Sequence, residues 1–167
     1  MFQKNELVQY GAHGVCRIID LEVRNVNKKL IEYYILEPIE QSGTRYYVPT
    51  QNKAAAEKLH TILTHEEIDK LLSSGRVGDQ EWINDENLRK QRYREVISSG
   101  NRIALIQMIH VLYQHKSKKQ ETGKRLHLCD ENFLRDAKKI LDSEFSLVLG
   151  IPQEEIGTYV QKIIASD

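Results

Sequence analysis

The spacing of apolar residues changes once along the chain, near Pro49. Before Pro49, β-branched and aromatic residues gather in four short segments, a pattern typical of half-buried strands. Turn-forming stretches such as Gly11-Ala-His-Gly14 and Gln41-Ser-Gly43 separate these segments. Short antiparallel strands with tight turns, all within about 50 residues, predict a small, strongly bent sheet of the SH3 or Tudor kind. The predicted strands are residues 7–10, 15–23, 30–36 and 45–48.

After Pro49 the apolar residues recur at helical spacing. Thr64 and Glu67 have the spacing of a capping box in front of a short helix, and Asn101 and Asp130 are candidate caps of two longer helices. Residues 73–82 are predicted to be a linker, and residues 116–124, which carry charge without apolar periodicity, an exposed loop. The pattern predicts an all-α bundle of four or five helices, within residues 65–73, 86–97, 101–113, 130–149 and 152–163.

Together these patterns predict an α+β chain with two domains. Residues 1–60 are expected to form the small Tudor/SH3-like β-barrel and residues 61–167 the all-α helical domain. Barrels of this size are usually only partly closed, and an open strand edge is a natural docking site for a strand of another chain.

Apolar stretches and cysteines indicate where in the cell the protein is expected. No apolar stretch is long enough to cross a bilayer, and the first residues lack the apolar core of a signal peptide. Cys16 and Cys129 lie far apart without a CxxC partner, so both are expected to be reduced thiols. The sequence therefore predicts a cytoplasmic protein with no membrane contact.

Patterns that indicate catalysis are missing. The sequence contains no Gly-rich phosphate loop, GxSxG elbow, HExxH motif or paired-carboxylate pattern, and its six histidines show no ligand spacing. We expect no enzymatic activity, no metal and no cofactor. A sheet module joined to a basic helical module is more typical of a protein that holds two partners together.

Positive charge is concentrated in one stretch, although the whole chain is formally neutral. A local excess of this kind favours a polyanionic partner, because the local field determines encounter and affinity. The alternative is that these residues form the solvated faces of ordinary helices. Between residues 89 and 125 there are two acids and ten basic residues: Arg89, Lys90, Arg92, Arg94, Arg102, Lys116, Lys118, Lys119, Lys124 and Arg125.

Several short motifs follow one another in a specific order. Tyr10, His13, Gly14, Val15 and Ile18 match the opening G-D-x-V-V-Y-P-x-H-G-V-G-x-I of the CarD/CdnL family of bacterial RNA polymerase-binding transcription regulators. The chain resembles this family over nearly all of its length. The later matching segments are Glu32-Tyr-Tyr-Ile-Leu36, Tyr46-Tyr-Val-Pro49, Arg92-Tyr93-Arg94, Ser99-Gly100-Asn101, Leu112-Tyr113, Phe133-Leu134, Ile140-Leu141 and Glu144-Phe145.

The resemblance implies an N-terminal module that binds the β subunit of RNA polymerase by strand addition. The contact would use the strand that ends in Val-Pro and a basic residue on a neighbouring strand, for which Arg24 is the matching position. Relatives often carry Arg on the docking strand where this chain has Tyr47, and Arg45 supplies a charge nearby. The implied polymerase-binding residues are Arg24, Thr44, Arg45, Tyr46, Tyr47 and Val48.

The resemblance also implies that the helical module touches promoter DNA at the upstream edge of the melted region. Many relatives place a minor-groove Trp where this chain has Arg89, and Trp82 lies seven residues earlier. Trp82 is therefore either a wedge or a packing residue, and its acidic neighbours favour packing. For residues 116–125 a solvated loop is an equal alternative. The candidate DNA-binding residues are Trp82, Arg89, Lys90, Arg92, Arg94, Lys116, Lys118, Lys119, Lys124 and Arg125.

The sequence thus predicts a non-enzymatic, monomeric transcription regulator. It would dock on the polymerase β subunit, contact promoter DNA largely without sequence readout and stabilise the open complex. The alternative function is a polymerase-binding adaptor whose helical domain recruits another protein, with the basic stretch meeting an acidic partner.

Overall fold

A computed structural model describes residues 1–166. The chain divides into two compact units, Met1–Ile62 and Leu63–Asp167, and each unit has its own apolar core. The first unit is a β-sheet and the second is made of helices, so the predicted α+β class is confirmed.

The N-terminal unit is a five-stranded antiparallel sheet with the strand order β4-β3-β2-β1-β5. The last strand and the short helix before it were not predicted from the sequence. A 3-10 turn, Gly11–His13, joins the first two strands. The elements are β1 (Leu7–Tyr10), β2 (Val15–Val26), β3 (Lys29–Pro38), β4 (Tyr46–Pro49), α1 (Lys53–Ala56) and β5 (Leu59–Thr61).

The sheet is strongly bent, as the short strands and tight turns in the sequence predict. A register shift between Ile18 and Asp20 marks a bulge in β2, and bulges bend the strand that carries them. The Tyr46 ring of β4 lies 4.1 Å from the His13 ring and 6.0 Å from the Tyr10 ring, measured between centroids. The edge strand β4 therefore curls round until it meets the turn between β1 and β2. The core inside this bend consists of Val8, Cys16, Ile18, Tyr34, Leu36, Val48 and Leu59.

The hairpin turn between β2 and β3 contains a residue in an unfavourable conformation. Asn27 and Lys28 have φ values of 52° and 63°, and Val26 pairs with Lys29 across the turn. Two central residues with positive φ define a type I′ turn, which prefers Asn followed by Gly. Asn tolerates the left-handed region, whereas the Cβ of Lys28 crowds the following carbonyl.

Replacing Lys28 with Gly is expected to raise the free energy of unfolding of the N-terminal unit by roughly 0.5–1 kcal/mol, because the steric cost disappears while some backbone entropy is lost. Denaturant unfolding measures the change. As a matched control, Lys29→Gly should lower stability, since Lys29 lies in the extended strand. A Lys28→Gly protein that is less stable than the wild type would contradict this explanation.

Within residues 63–166 the C-terminal unit contains five helices, and several predicted helix ends are confirmed. In the capping box, the Thr64 N–H donates to Glu67 at 2.8 Å and the Glu67 N–H donates to Thr64 at 3.2 Å. Gly100 and Gly150 end their helices in the left-handed conformation. The helices are α2 (His65–Leu72), α3 (Glu86–Ser99), α4 (Arg102–Glu121), α5 (Leu128–Leu149) and α6 (Gln153–Ala165).

Two local predictions in this unit were wrong. Residues 116–121 continue α4 instead of forming a loop, and Lys118 and Lys119 lie in its last turn, where positive charge interacts favourably with the helix dipole. Asp130 does not cap α5. That helix begins at Leu128, and Asp130 is a buried residue of its first turn.

A buried ion pair joins α4 to α5 inside the helical unit. Arg102 donates two hydrogen bonds to the Glu144 carboxylate, at 2.8 and 3.0 Å, and the Leu63 N–H donates a third at 3.0 Å. The Arg102 and Glu144 side chains are 11% and 1% exposed. Arg102 therefore contributes little to the exposed charge of the basic stretch. The apolar core of the helical unit includes Ile68, Leu105, Leu112, Phe145 and Ile156.

No helix within residues 1–166 combines the length and the apolar character needed to cross a membrane.

Candidate functional sites

The outer side of β4 is an open strand edge, because β4 is the last strand in the sheet order. The Thr50 N–H donates to the Glu32 carbonyl of β3 at 2.9 Å. Since backbone groups of an antiparallel strand point alternately toward and away from the neighbour, the N–H of Tyr47 points outward. Pro49, two residues after Tyr47, also faces away from β3, so its missing N–H costs the sheet no hydrogen bond.

Arg24 of β2 and Tyr47 of β4 come together beside this edge. The guanidinium carbon of Arg24 lies 4.3 Å from the centroid of the Tyr47 ring, and Arg24 also donates to Glu22 at 2.9 and 3.1 Å. Hydrogen bonding to Glu22, and then to Tyr47, raises the pKa of Arg24. Both residues are exposed. We call the outward backbone of β4 with Arg24 and Tyr47 the edge site.

The other predicted polymerase contacts lie less favourably for an external partner. Val48 is 1% exposed and belongs to the core, and Tyr46 is half-buried against His13. The predicted docking strand covered residues 44–48, but β4 begins at Tyr46, so Thr44 and Arg45 lie in the irregular segment before it. Arg45 is exposed and remains available as a charge near the edge site.

The basic residues of the helical unit differ in solvent exposure and in whether they form ion pairs. Arg92 and Arg94 of α3 are exposed, and among residues 1–166 neither forms an ion pair. Lys90 pairs with Glu86 at 2.7 Å and Lys116 with Glu131 at 3.4 Å. The remaining candidates lie in the last turn of α4 or in the loop after it, and Lys119 is half-buried while the others are exposed: Lys118, Lys119, Lys124 and Arg125.

Arg89 does not share this exposure. It is 3% exposed, its Nε and Nη2 atoms each donate to the Asp130 carboxylate at 3.0 Å, and its Nη1 donates to the Ile83 carbonyl at 2.9 Å. Burial opposes the charge of Arg89, but the hydrogen bonds to Asp130 leave its pKa raised. The guanidinium that was predicted to bind phosphate is already bound to a carboxylate. It joins α3 to the first turn of α5.

Trp82 is held in a stack next to Arg89. Its ring lies 3.6 Å from the His115 ring of α4 with an interplanar angle of 5°, and the Arg89 guanidinium carbon lies 4.4 Å from the Trp82 ring. Two groups this close to one centroid cover opposite faces of the ring. Burial lowers the pKa of His115, which favours a neutral imidazole in the stack. This geometry favours the packing alternative for Trp82 over the wedge.

The same stack brings two parts of the basic stretch together. Arg89 lies one turn before Arg92 on α3, and His115 lies one turn before Lys119 on α4. Because both stacking residues contact Trp82, the first turn of α3 lies near His115 of α4. We call the exposed side chains of Arg92, Arg94, Lys118, Lys124 and Arg125 together the basic surface; Arg92 and Arg94, two residues apart on α3, project from that helix in different directions.

Residues 1–166 contain no group of three or more His, Cys, Asp or Glu side chains that could hold a metal ion. Cys16 is buried and Cys129 half-buried, and both are free thiols.

Comparisons with known proteins agree with the order of the two units. Residues 2–60 match the model of the CarD-like/TRCF RID domain, and residues 69–161 match the model of the CarD C-terminal domain. A search of curated proteins gave no match. Because the two models cover both units, and the second alone covers more than half of the sequence, the chain belongs to the CarD family of RNA polymerase-interacting transcription regulators.

Proposed function

We propose that this protein docks on the β subunit of RNA polymerase through the edge site and contacts promoter DNA through the basic surface. The DNA contact would lie at the upstream edge of the transcription bubble and would stabilise the open complex. The protein would act in the cytoplasm as a monomer, without catalysis or a cofactor. The observation that carries this proposal is the open β4 edge, flanked by an exposed Arg24–Tyr47 contact.

Strand addition explains why the edge site suits a protein partner. A strand laid against β4 would receive hydrogen bonds from backbone groups that now face outward, which is how exposed sheet edges bind extended segments. The Arg24 guanidinium, which lies over the Tyr47 ring, would add a charged contact at the rim of this interface.

Replacing Tyr47 with Pro is expected to abolish binding to the polymerase β subunit. Pro removes the outward N–H, and a strand edge accommodates its fixed φ without unfolding the sheet. Pull-down of the β subunit by the folded variant measures the effect. The matched control, Tyr47→Thr, removes the ring but keeps the N–H, so it should retain much of the binding; equal loss in both variants would contradict strand addition.

The basic surface suits DNA that is bound through its phosphates and not through its bases. Guanidinium groups bind phosphate bidentately, and phosphate contacts position a protein on DNA without reading its sequence. A ligand that binds the open complex better than the closed complex shifts the equilibrium by its differential affinity alone. About 1.4 kcal/mol of such preference raises the ratio of open to closed complexes tenfold.

Replacing Arg92 and Arg94 together with Ala is expected to shorten the open-complex lifetime several-fold while polymerase binding persists, because two phosphate contacts are lost from one unit and docking uses the other. Dissociation of a preformed open complex after competitor challenge measures the lifetime. Lys139 and Lys162 provide a matched control pair, since both are exposed, belong to the helical unit and lie outside the basic stretch. Equal effects of the two double variants would contradict a specific role of the basic surface.

Footprinting of an open complex with and without the protein tests the whole proposal. Protection or stabilisation at the upstream edge of the bubble is the expected result. Polymerase binding with an unchanged DNA footprint would instead select the adaptor, whose helical unit recruits another protein.

A further inference from the structure

The second strand of the sheet has an open edge of its own. β1 pairs with β2 only at residues 15–17, so within residues 1–166 no strand lies beside residues 21–26 on that side. Toward their turn, β2 and β3 form a two-stranded hairpin in which residues 23–30 are all exposed. Open strand edges pair readily with a strand of another chain. The edge site uses the backbone of β4, so polymerase docking does not account for this second edge.

The register of the sheet determines which backbone groups point out from this edge. The Thr50 N–H donates to the Glu32 carbonyl, so the backbone of Glu32 faces β4 and its neighbours in β3 face β2. Those neighbours pair with the even-numbered residues of β2. The Leu21 N–H agrees with this direction, since it donates to the Asp20 side chain at 2.9 Å. The outward N–H and carbonyl groups on this edge therefore belong to Leu21, Val23 and Asn25.

The side chains along this edge are complementary to a second copy of the same segment. When two copies of β2 pair antiparallel with Val23 opposite Val23, Glu22 of each copy lies opposite Arg24 of the other. Within one chain Arg24 already donates to Glu22 at 2.9 and 3.1 Å, and the two side chains are 48% and 43% exposed. Pairing would place each of these charges beside two opposite ones, which stabilises cross-strand contacts.

We propose that the free protein forms a weak homodimer by antiparallel pairing of residues 21–25 of β2 with the same residues of a second copy. The twofold axis would pass beside Val23, and each outward residue would exchange two backbone hydrogen bonds with the residue opposite. This pairing leaves the β4 edge open and does not depend on the proposed polymerase and DNA contacts.

Charge favours this register over the neighbouring ones. Pairing centred on residue 22 would place two Glu22 carboxylates opposite each other, and pairing centred on residue 24 would do the same with two Arg24 guanidinium groups. Like charges directly opposite are destabilising. In the register centred on Val23, the two Val23 side chains, each 61% exposed in the single chain, cover each other.

The length of the paired segment makes the dimer weak. Five residues from each chain bury much less than the roughly 1,200 Å² of a stable complex. The dimer would therefore dissociate at the dilute concentrations of a promoter assay, where the monomer is the species that docks.

Sedimentation equilibrium of the complete protein measures the self-association, and charge reversal tests the register. We expect the wild-type protein to form dimers as its concentration rises. Glu22→Arg and Arg24→Glu each place like charges opposite each other and should weaken dimerisation about tenfold. The double variant restores opposite charges and should recover the wild-type affinity. An equimolar mixture of the two single variants should associate more tightly than either variant alone.

Lys53→Glu is the matched control, because it reverses an exposed charge on α1, away from the paired segment, and should leave dimerisation unchanged. Circular dichroism shows whether each variant is folded.

A cysteine at residue 23 locates the twofold axis. Opposite residues of a hydrogen-bonded pair have Cα atoms about 5.5 Å apart, which is within disulfide range, so Val23→Cys should give a linked dimer with oxidised glutathione. Asn25→Cys is the matched control, since two copies of residue 25 would lie about 13 Å apart along the strands. Both changes are made together with Cys129→Ser, because Cys129 is a half-buried free thiol.

Three results would overturn the proposal: a protein that stays monomeric up to about 1 mM, a double charge variant that dimerises no better than the single variants, or equal disulfide linkage at residues 23 and 25. Self-association that Tyr47→Pro abolishes and that the charge variants leave unchanged would place the contact at the β4 edge and would overturn it as well.

Discussion

Replacing Arg89 with Ala is expected to lower the free energy of unfolding of the helical unit by about 3–5 kcal/mol, the usual cost of breaking a buried ion pair from one side. The Arg89 and Asp130 side chains are 4% and 1% exposed, so truncation leaves an ionised carboxylate without its partner and without water. The Ile83 carbonyl loses a donor and the Trp82 ring loses its cation in the same step. All of these losses stabilise the unfolded state relative to the native one.

Thermal unfolding measures this loss. For a unit of about 100 residues, each kcal/mol corresponds to about 4–8 °C, so the melting temperature should fall by more than ten degrees. Arg135→Ala is the matched control on α5: that side chain is 70% exposed, and removing an exposed charge changes stability by less than about 0.5 kcal/mol.

A double replacement distinguishes the effect of breaking the Arg89–Asp130 ion pair from the effect of changing the side chain at residue 89. Arg89→Met combined with Asp130→Leu removes both charges and should recover much of the stability, since apolar side chains of similar volume often replace a buried ion pair without cost. An Arg89→Ala protein that melts at the wild-type temperature would show that Arg89 is free, and it would restore this residue as a candidate phosphate contact.

Trp82→Ala is expected to destabilise the helical unit by about 3 kcal/mol, the lower end of the range for large aromatic residues, because the side chain is half-buried. The substitution empties the space between His115 and the Arg89 guanidinium, and both groups lose a stacking partner. Thermal unfolding again gives the measurement. Trp82→Phe keeps an aromatic ring in the stack and should lose clearly less stability than Trp82→Ala.

Promoter assays distinguish the two roles of this residue. If Trp82 is a packing residue, Trp82→Ala should retain the proposed stabilisation of open complexes at temperatures where the variant is folded. A variant with an unchanged melting temperature that no longer stabilises open complexes would identify Trp82 as a wedge against the DNA and would contradict the packing role.

Local signals in the sequence were sufficient for most of the elements, though not for α1 and β5, and for one detail of the edge site. Caps such as Thr64 and Gly150 act within a few residues, so their geometry follows from the chain alone. Pro49 carries further information, because a strand tolerates Pro only where its N–H is not needed. Tyr47 is two residues before Pro49, so its N–H points to the same open side of the strand. The sequence already contained this signal.

The contacts that decide which basic residues are free could not be predicted from the sequence. Arg89 pairs with an acid 41 residues later, and Arg102 with one 42 residues later, through helix packing that no local pattern encodes. Arg24 and Tyr47 meet across β3, which depends on the register and bend of the whole sheet. Charge along the chain therefore identified the basic stretch, but only tertiary structure separated exposed from buried arginines within it.

The most direct test of the central claim is the lifetime of an open complex on one promoter, measured after competitor challenge with polymerase alone, with the wild-type protein and with Tyr47→Pro. Docking through the β4 edge predicts a lifetime that the wild-type protein lengthens several-fold and that Tyr47→Pro leaves at the value of polymerase alone. A wild-type protein that does not change the lifetime, or a Tyr47→Pro protein that lengthens it equally, would contradict the claim.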